Sequence, residues 1–352
     1  PLREDVVFHD GTKFNAEAMV FSINRFMKIG NLKYIIEGRI ESVEAPQEYL
    51  LQINLTRESS SLIGLLTSRN LSPVSPTAYS NYKENFLNDQ FIGTGPYQLV
   101  NFLPEKQKLI PFPDYWGEKP SNKGINYVNF TNSTSLFSAL KIGEVDVLLS
   151  NSIEDRQRLE LTKMANNNII TEGIGPPIEL GYITFRSNTE PLSNPILRKA
   201  LVHSMDRDLI SEKVSFGLRE PSRSIVPERL KVNGNTWPKY DPIIAKKLFK
   251  KAGYCNDKVL DLPLTFRSNV PADKLLALTW QEQVRKDFPD CLKISLNGLD
   301  STTVYKQLSE GVFESIMMDW TGSYPDPEAY LSPLLSCKKI TNNECLEGEA
   351  VF

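Results

Sequence analysis

The chain has 352 residues, with 40 Lys and Arg against 43 Asp and Glu, a formal charge of −3, and 40% hydrophobic residues, which is the composition of an ordinary globular protein. A balanced charge with no Lys/Arg block argues against binding a nucleic-acid backbone, which needs a clustered basic face. No stretch approaches the roughly 18 uninterrupted apolar residues of a membrane-spanning helix, and the length suits about two domains of some 150 residues or one long lobed domain.

The opening residues PLREDVVFHDG have no basic start, apolar stretch or small-residue cleavage site, so they do not read as a signal peptide. His9, Asp10 and Gly11 make a turn, and KFNAEAMVFSINRFMK (13–28) reads as an amphipathic helix with Asn15 as its N-cap and Ala18, Phe21, Ile23 and Phe26 near one side. Residues 40–56 alternate in two runs broken at Ala45-Pro46-Gln47, a β-hairpin pattern. IGTGPY (92–97) is a tight turn into a strand over 97–102, followed by a strand over 106–112 and the Pro/Gly-rich loop PFPDYWGEKPSNKG. A helix over 135–142 leads through Gly143 into a strand at 143–147, and the apolar run Val145–Leu149 has the length of a core strand.

GIGPPIELG (173–181) shifts the composition to Gly and Pro between two strand-like runs, and a domain crossing is placed there. Residues 194–214 form a helical region with Leu197, Leu201, Met205 and Leu209 at a four-residue spacing; a further helix over 241–252 ends at Gly253. Residues 262–319 then alternate strand, helix, strand, helix, strand, which is βαβαβ and implies a parallel sheet with right-handed crossovers.

Little in the chain resembles catalytic chemistry. Only His9 and His203 could serve a nucleophile as base, and both read as packing or surface histidines. No metal-ligand spacing is present, so neither a metal nor a cofactor is expected. Gly93-x-Gly95 opens a strand and is followed by Pro96, which has no N–H to offer a phosphate. The four cysteines form no C-x-x-C pair; two disulfides and four buried free thiols are both open readings. What stands out is DWTGSYPDPEAY (319–330) at the C-terminal end of a parallel strand, where ligands of α/β sheets bind. There Trp320 and Tyr324 either present flat apolar walls to a ligand or pack the loop onto the domain.

Seven blocks in order, LREDVVFHDGTKFNAEAMVFSINRF, IGTGPYQL with PDYWGEKP, SALKIGEVDVL, ITFRSN, LRKALVHSMDRDLI, YDPIIAKKLFKKAGY and FESIMMDWTGSYPDPEAYL, resemble the large extracytoplasmic solute-binding proteins of ABC importers, which include the oligopeptide-, dipeptide- and nickel-binding proteins (solute-binding protein family 5). The resemblance implies an α/β, two-lobed periplasmic-binding-protein-like fold of class II with an accessory α/β domain, closing over its ligand like a hinged clamp. By analogy, residues 1–88 correspond to part of the accessory domain, 89–176 to part of the first lobe and 177–352 to the second lobe. N- and C-terminal segments of the first lobe are expected to lie in a longer protein.

The function implied is capture of a peptide or peptide-like ligand in an interlobe cleft and delivery to an ABC permease. The protein would be a monomer and no enzyme, periplasmic or extracytoplasmic, with a lipid anchor as one option. Trp320, Ser323, Tyr324 and Asp326 are the candidate ligand contacts, with Arg267 as a carboxylate partner or else a solvated loop arginine. Peptide-binding members carry an aspartate for the peptide α-amino group where this chain has Ser323, which cannot neutralise a buried ammonium; Asp319 or Asp326 could reach around the turn instead. The resemblance also brings an oxidising setting, and with it the pairs Cys255–Cys291, each preceding a strand of one βαβ unit, and Cys337–Cys345. Rival readings are an oligosaccharide- or metal-chelate-binding member of the same fold, a hydrolase acting on an extended substrate, and a peptide sensor.

Overall fold

A computed structural model describes residues 1–30, 32–80, 91–149, 153–175, 178–230, 236–308, 310–337, 339–341 and 344–347. The chain divides into two compact units, 1–132 and 133–352.

In the first unit, the opening turn is closed by Phe8 N–H donating to the Thr12 carbonyl at 2.8 Å, with Gly11 at φ +81°, a conformation a side chain disfavours. Helix α1 (Ala16–Ile29) starts where Asn15 Oδ1 accepts the Ala18 N–H at 3.0 Å. Its Ala18 packs with Val6, Phe8 and Phe14 in a small core, whereas Phe21 and Phe26 are only half-buried. Strands β1 (Ile40–Gln47) and β2 (Leu50–Leu55) form the expected hairpin, but the chain reverses at Glu48-Tyr49, after the Gln47–Leu50 pair. The expectation of a turn at Ala45-Pro46-Gln47 is thus corrected: Pro46 stays within β1, an edge strand of a two-stranded sheet, at a point where the register is irregular and proline is tolerated. Short helices α2 (Leu62–Leu66) and α3 (Pro76–Tyr79) follow, and then an antiparallel meander of β3 (Tyr97–Leu103), β4 (Lys106–Pro111) and β5 (Ile125–Val128).

The second unit begins with α4 (Ser133–Lys141) and α5 (Asp155–Asn166). Between them Gly143 makes the turn at φ +75°, but no strand follows it. Val147 and Leu149 are 78% and 69% exposed; a strand needs an edge to pair with, and among the described residues none lies alongside. Helix α5 carries no apolar stripe that periodicity detects, burying only Leu161 and Asp155. A reciprocal cap marks its start, with Gln157 Oε1 accepting the Glu154 N–H at 2.9 Å.

After β6 (Glu179–Phe185), the helical region 194–214 is two helices, α6 (Pro195–Ser204) and α7 (Arg207–Ser215). The Leu-spaced series breaks at Met205 because Asp206 caps a new helix, its Oδ1 accepting the Leu209 N–H at 3.0 Å; Ile210 and Val214 continue the buried face instead. Then come α8 (Pro242–Lys251), β7 (Leu260–Arg267), α9 (Pro271–Asp287), β8 (Leu292–Leu299), α10 (Ser301–Leu308), β9 (Ser315–Thr321), α11 (Glu328–Leu335) and the ribbon β10 (Lys339–Thr341) with β11 (Glu344–Glu347).

The sheet order is β6-β9-β7-β8, with β7 parallel to β8 and β9 and β6 antiparallel to β9. This is the βαβαβ unit with one added antiparallel strand. Pro263 is accommodated inside β7 because β9 meets β7 only at the Thr265–Ile316 pair, and the Ser315 hydroxyl donates to the Pro263 carbonyl at 2.6 Å. One sheet face carries Leu262, Leu264, Ile294 and Met317 into a core with Trp280 and Val284 of α9 and Phe249 of α8. The other meets Val304 and Phe313 through Ile316 and Met318.

A disulfide joins Cys255 to Cys291 across the loops that lead into β7 and β8. Cys337 is disulfide-bonded as well, while the Cys345 side chain lies outside the described residues. Closing 36 residues removes unfolded-state freedom equivalent to about 4 kcal/mol in the chain-entropy model. Urea unfolding of the Cys255→Ala/Cys291→Ala double variant is expected to show a loss of that order with an unchanged far-UV spectrum; an unchanged midpoint would contradict it.

Candidate functional site

Where three parallel strands end together, their last side chains must share one rim. Arg267 closes β7 and is only 4% exposed, so its charge has to be met from inside. Asp273, in the first turn of α9, takes the guanidinium in bidentate fashion: Nε to Oδ2 at 2.7 Å and Nη2 to Oδ1 at 3.1 Å. Asp319 of β9 takes the other side, with Nη1 to Oδ1 at 3.0 Å and Nη2 to Oδ2 at 2.8 Å, and the Tyr305 hydroxyl of α10 lies 3.4 Å from Nη1. Burial works against the Arg267 charge, but the two carboxylates outweigh it and hold its pKa above the ordinary arginine value. Burial likewise pushes the Asp273 carboxyl up against the pull of the guanidinium. One cation against two carboxylates leaves the cluster net negative, and the Asp319 side chain, 37% exposed, is its outward-facing member.

Close packing shapes the same rim. A Cβ on Gly298 of β8 would come 2.9 Å from the Phe266 ring, and one on Gly322 would come 2.7 Å from the Tyr330 ring. Tyr330 is 1% exposed and donates its hydroxyl to the Ile178 carbonyl; burial raises its pKa. The turn after β9 is thereby pinned to the start of β6.

Within that turn, Trp320 is half-buried, with its indole N–H donating to the Ala329 carbonyl at 2.8 Å. Tyr324 is 6% exposed and packs inside the loop. Asp326 Oδ1 accepts the Glu328 N–H at 2.8 Å, which starts α11. Ser323 is partly exposed, and among the described residues its hydroxyl has no hydrogen-bond partner. The structure therefore gathers Trp320, Ser323, Tyr324 and Asp326 in one turn, and sets Arg267 at the same end of the sheet but below the surface, tied to Asp273 and Asp319. The picture of Arg267 as a solvated loop arginine is corrected by this: a strand-end arginine flanked by two carboxylates folds inward. Periodicity missed Asp273; the usable signal was an acid six residues after Arg267, in the first turn of a helix, where the helix dipole favours a carboxylate.

At the opposite end of β7 lies a concavity of about 590 Å³ lined by Glu190, Asn194, Lys258 and Asp261 among others. Three of these polar side chains are committed, Glu190 accepting from Ser193, Asn194 capping α6 and Asp261 binding Lys293 and Ser295, while the Lys258 ammonium lies 5.0 Å from the Tyr254 ring centre. The sheet's C-terminal rim is the better candidate. Among the described residues no three His, Cys, Asp or Glu side chains cluster as metal ligands, and no described helix is long and apolar enough to cross a membrane. His9 and His203 lie against the backbone carbonyls of Gly95 (2.9 Å) and Lys239 (3.2 Å).

Residues 1–342 match the family of bacterial extracellular solute-binding proteins, family 5. The chain belongs to this family. It is 26% identical over 348 residues to the glutathione-binding protein GsiB of Shigella flexneri serotype 5b, covering 95% of this chain and 65% of that protein. GsiB of Escherichia coli K12 is likewise 26% identical, over 346 residues. The chain thus spans about 65% of the length of these curated relatives. Among solved structures, the dipeptide-binding protein of Pseudoalteromonas sp. SM9913 in complex with Met-Leu superposes with a TM-score of 0.80 at 24% identity, over 96% of this chain and 70% of that one. NikA of Brucella suis in complex with Fe(III)-EDTA superposes with a TM-score of 0.76 at 22% identity, over 94% of this chain and 69% of the other. These structures share the α/β fold of the two-lobed binding proteins.

The Arg267→Met variant is expected to lose about 3–5 kcal/mol in urea unfolding, because Asp273 is left buried without its counter-charge. Adding Asp273→Leu should restore most of that loss. If the double variant is as unstable as the single one, the bidentate pair is not what the rim depends on.

Proposed function

We propose that the protein is an extracytoplasmic solute-binding component that holds a peptide or peptide-like ligand at the C-terminal ends of β7, β8 and β9 and delivers it to an ABC permease. It is no enzyme in this reading, acts as a monomer in the periplasm or an equivalent space, and needs no cofactor. Support comes from family membership together with the rim itself: a half-buried Trp320 beside an available Ser323 hydroxyl and a net-negative Arg267–Asp273–Asp319 cluster. The observation that carries most weight is the position of this turn, since open α/β sheets bind ligands at the carboxyl ends of their parallel strands.

Each named residue then has a separate task. Trp320 supplies a flat apolar wall whose orientation is set by its bond to Ala329. Ser323 hydrogen-bonds the ligand without adding charge, and Tyr324 and Asp326 hold the turn in shape from within. Arg267 acts through Asp319, whose orientation it fixes. That curated relatives are named glutathione-binding and that a structural neighbour holds Met-Leu is consistent with a short peptide-like ligand. The four strands of the sheet all begin after residue 177, in keeping with a second lobe over 177–352, beside an accessory region over 1–88 and a first-lobe region over 89–176.

Calorimetric titration with a pool of short peptides and with glutathione tests this reading. At least one is expected to bind without being cleaved, and Trp320→Ala should weaken it about ten-fold, which is about 1.4 kcal/mol. No binding, or sustained cleavage seen by mass spectrometry, would overturn it. Because Ser323 offers no charge to an α-amino group, Ser323→Asp should strengthen binding of free-amine peptides about ten-fold while leaving their N-acetylated forms unchanged. Equal effects on both forms would remove Ser323 from the ligand's amino end.

A further inference from the structure

Helix α8, PIIAKKLFKK, packs inward through Ala245 and Phe249, both fully buried. At about 100° per residue, its other side is an arc of roughly 160° holding Ile243, Ile244, Lys246, Lys247, Lys250 and Lys251. All six are exposed, Ile243 by 80% and Ile244 by 41%. The arc contains no acid and no neutral polar residue. Asp241, the nearest carboxylate in sequence, is turned onto the Ile243 and Ile244 N–H groups as the helix cap, at 3.0 and 2.9 Å. Among the described residues none of the four lysines forms an ion pair; Lys246 instead lies 5.8 Å from the Phe288 ring centre. The chain as a whole carries −3, so this is a local reversal of its charge.

Helix-dipole stabilisation accounts for Lys250 and Lys251 in the last turn. It does not account for Lys246 and Lys247 in the middle, nor for two bare isoleucines at the start. Protein–protein contact surfaces favour Arg, Tyr and Trp and are depleted in Lys, whereas this face is convex and uses only point-charge ammonium groups around an apolar tip. That combination suits a diffuse plane of negative headgroups, which attracts lysines without directional bonds while short apolar side chains enter the interface.

We propose that the outer face of α8 is a contact surface for an anionic lipid bilayer, holding the protein near the membrane surface. The proposal is independent of which ligand the sheet rim binds. Its test is flotation of the chain with vesicles of phosphatidylcholine containing one part in three phosphatidylglycerol, compared with phosphatidylcholine alone. The floated fraction is expected to be about ten-fold higher on the anionic vesicles and to fall as salt is raised. The Lys246→Gln/Lys247→Gln/Lys250→Gln/Lys251→Gln variant should lose it, and Ile243→Ser/Ile244→Ser should reduce it several-fold with the lysines intact, each variant keeping the parent's far-UV spectrum. Equal flotation on neutral vesicles, retention by the lysine variant, or no flotation at all would overturn the proposal.

Discussion

A buried guanidinium between two carboxylates organises the end of the sheet at which this protein carries its candidate site. Arg267 is almost fully withdrawn from water, and leaving it without a partner there would cost several kcal/mol. Asp273 meets that demand from α9 and Asp319 meets it from β9, so one side chain ties a helix start to two strand ends. The arrangement has a chemical consequence as well as a mechanical one. Both Asp319 oxygens accept from Arg267, yet each carboxylate oxygen has a further lone pair, and the side chain remains partly open to solvent.

The turn that follows is held from the opposite side by hydrogen bonds that involve backbone groups. Tyr330 reaches the Ile178 carbonyl, Trp320 reaches the Ala329 carbonyl, and Asp326 accepts the Glu328 N–H. Gly322 is needed because any side chain would strike the Tyr330 ring. In the proposed function, side chains already fixed by these bonds would lower the ordering cost of binding. The disulfide at the other end of β7 and β8 clamps the same pair of strands where they begin.

Much of the second unit was legible in the sequence, because parallel strands buried on both faces and helices with an apolar stripe leave strong periodic patterns. The strands around Leu264, Ile294 and Met317 and the α9 stripe of Trp280 and Val284 stand where those patterns place them, and the Cys255–Cys291 pair is the one that the family resemblance implied. What was illegible depended on partners that no local pattern reveals. Val145–Leu149 has a strand's composition and, among the described residues, no neighbouring edge; Pro46 looks like a turn residue but lies within a strand of a two-stranded sheet, where the register is irregular. Helix α5 is signalled by its cap and not by periodicity. At the site, the turn 319–330 could be found from its place after a strand, but the inward folding of Arg267 followed from Asp273 and Asp319, acids on two other elements that only the fold brings to it.

These features describe a densely hydrogen-bonded sheet end, aromatic and net negative, in a chain of the family 5 solute-binding proteins. In the proposed reading this sheet end captures a ligand and does not turn it over, so occupancy is the property to measure. Native mass spectrometry of the protein as purified reads it directly. The account predicts a fraction carrying a non-covalent addition of short-peptide mass, released intact on denaturation and regained when the stripped protein meets a peptide pool. A spectrum showing only bare protein, unchanged by that pool, would contradict it.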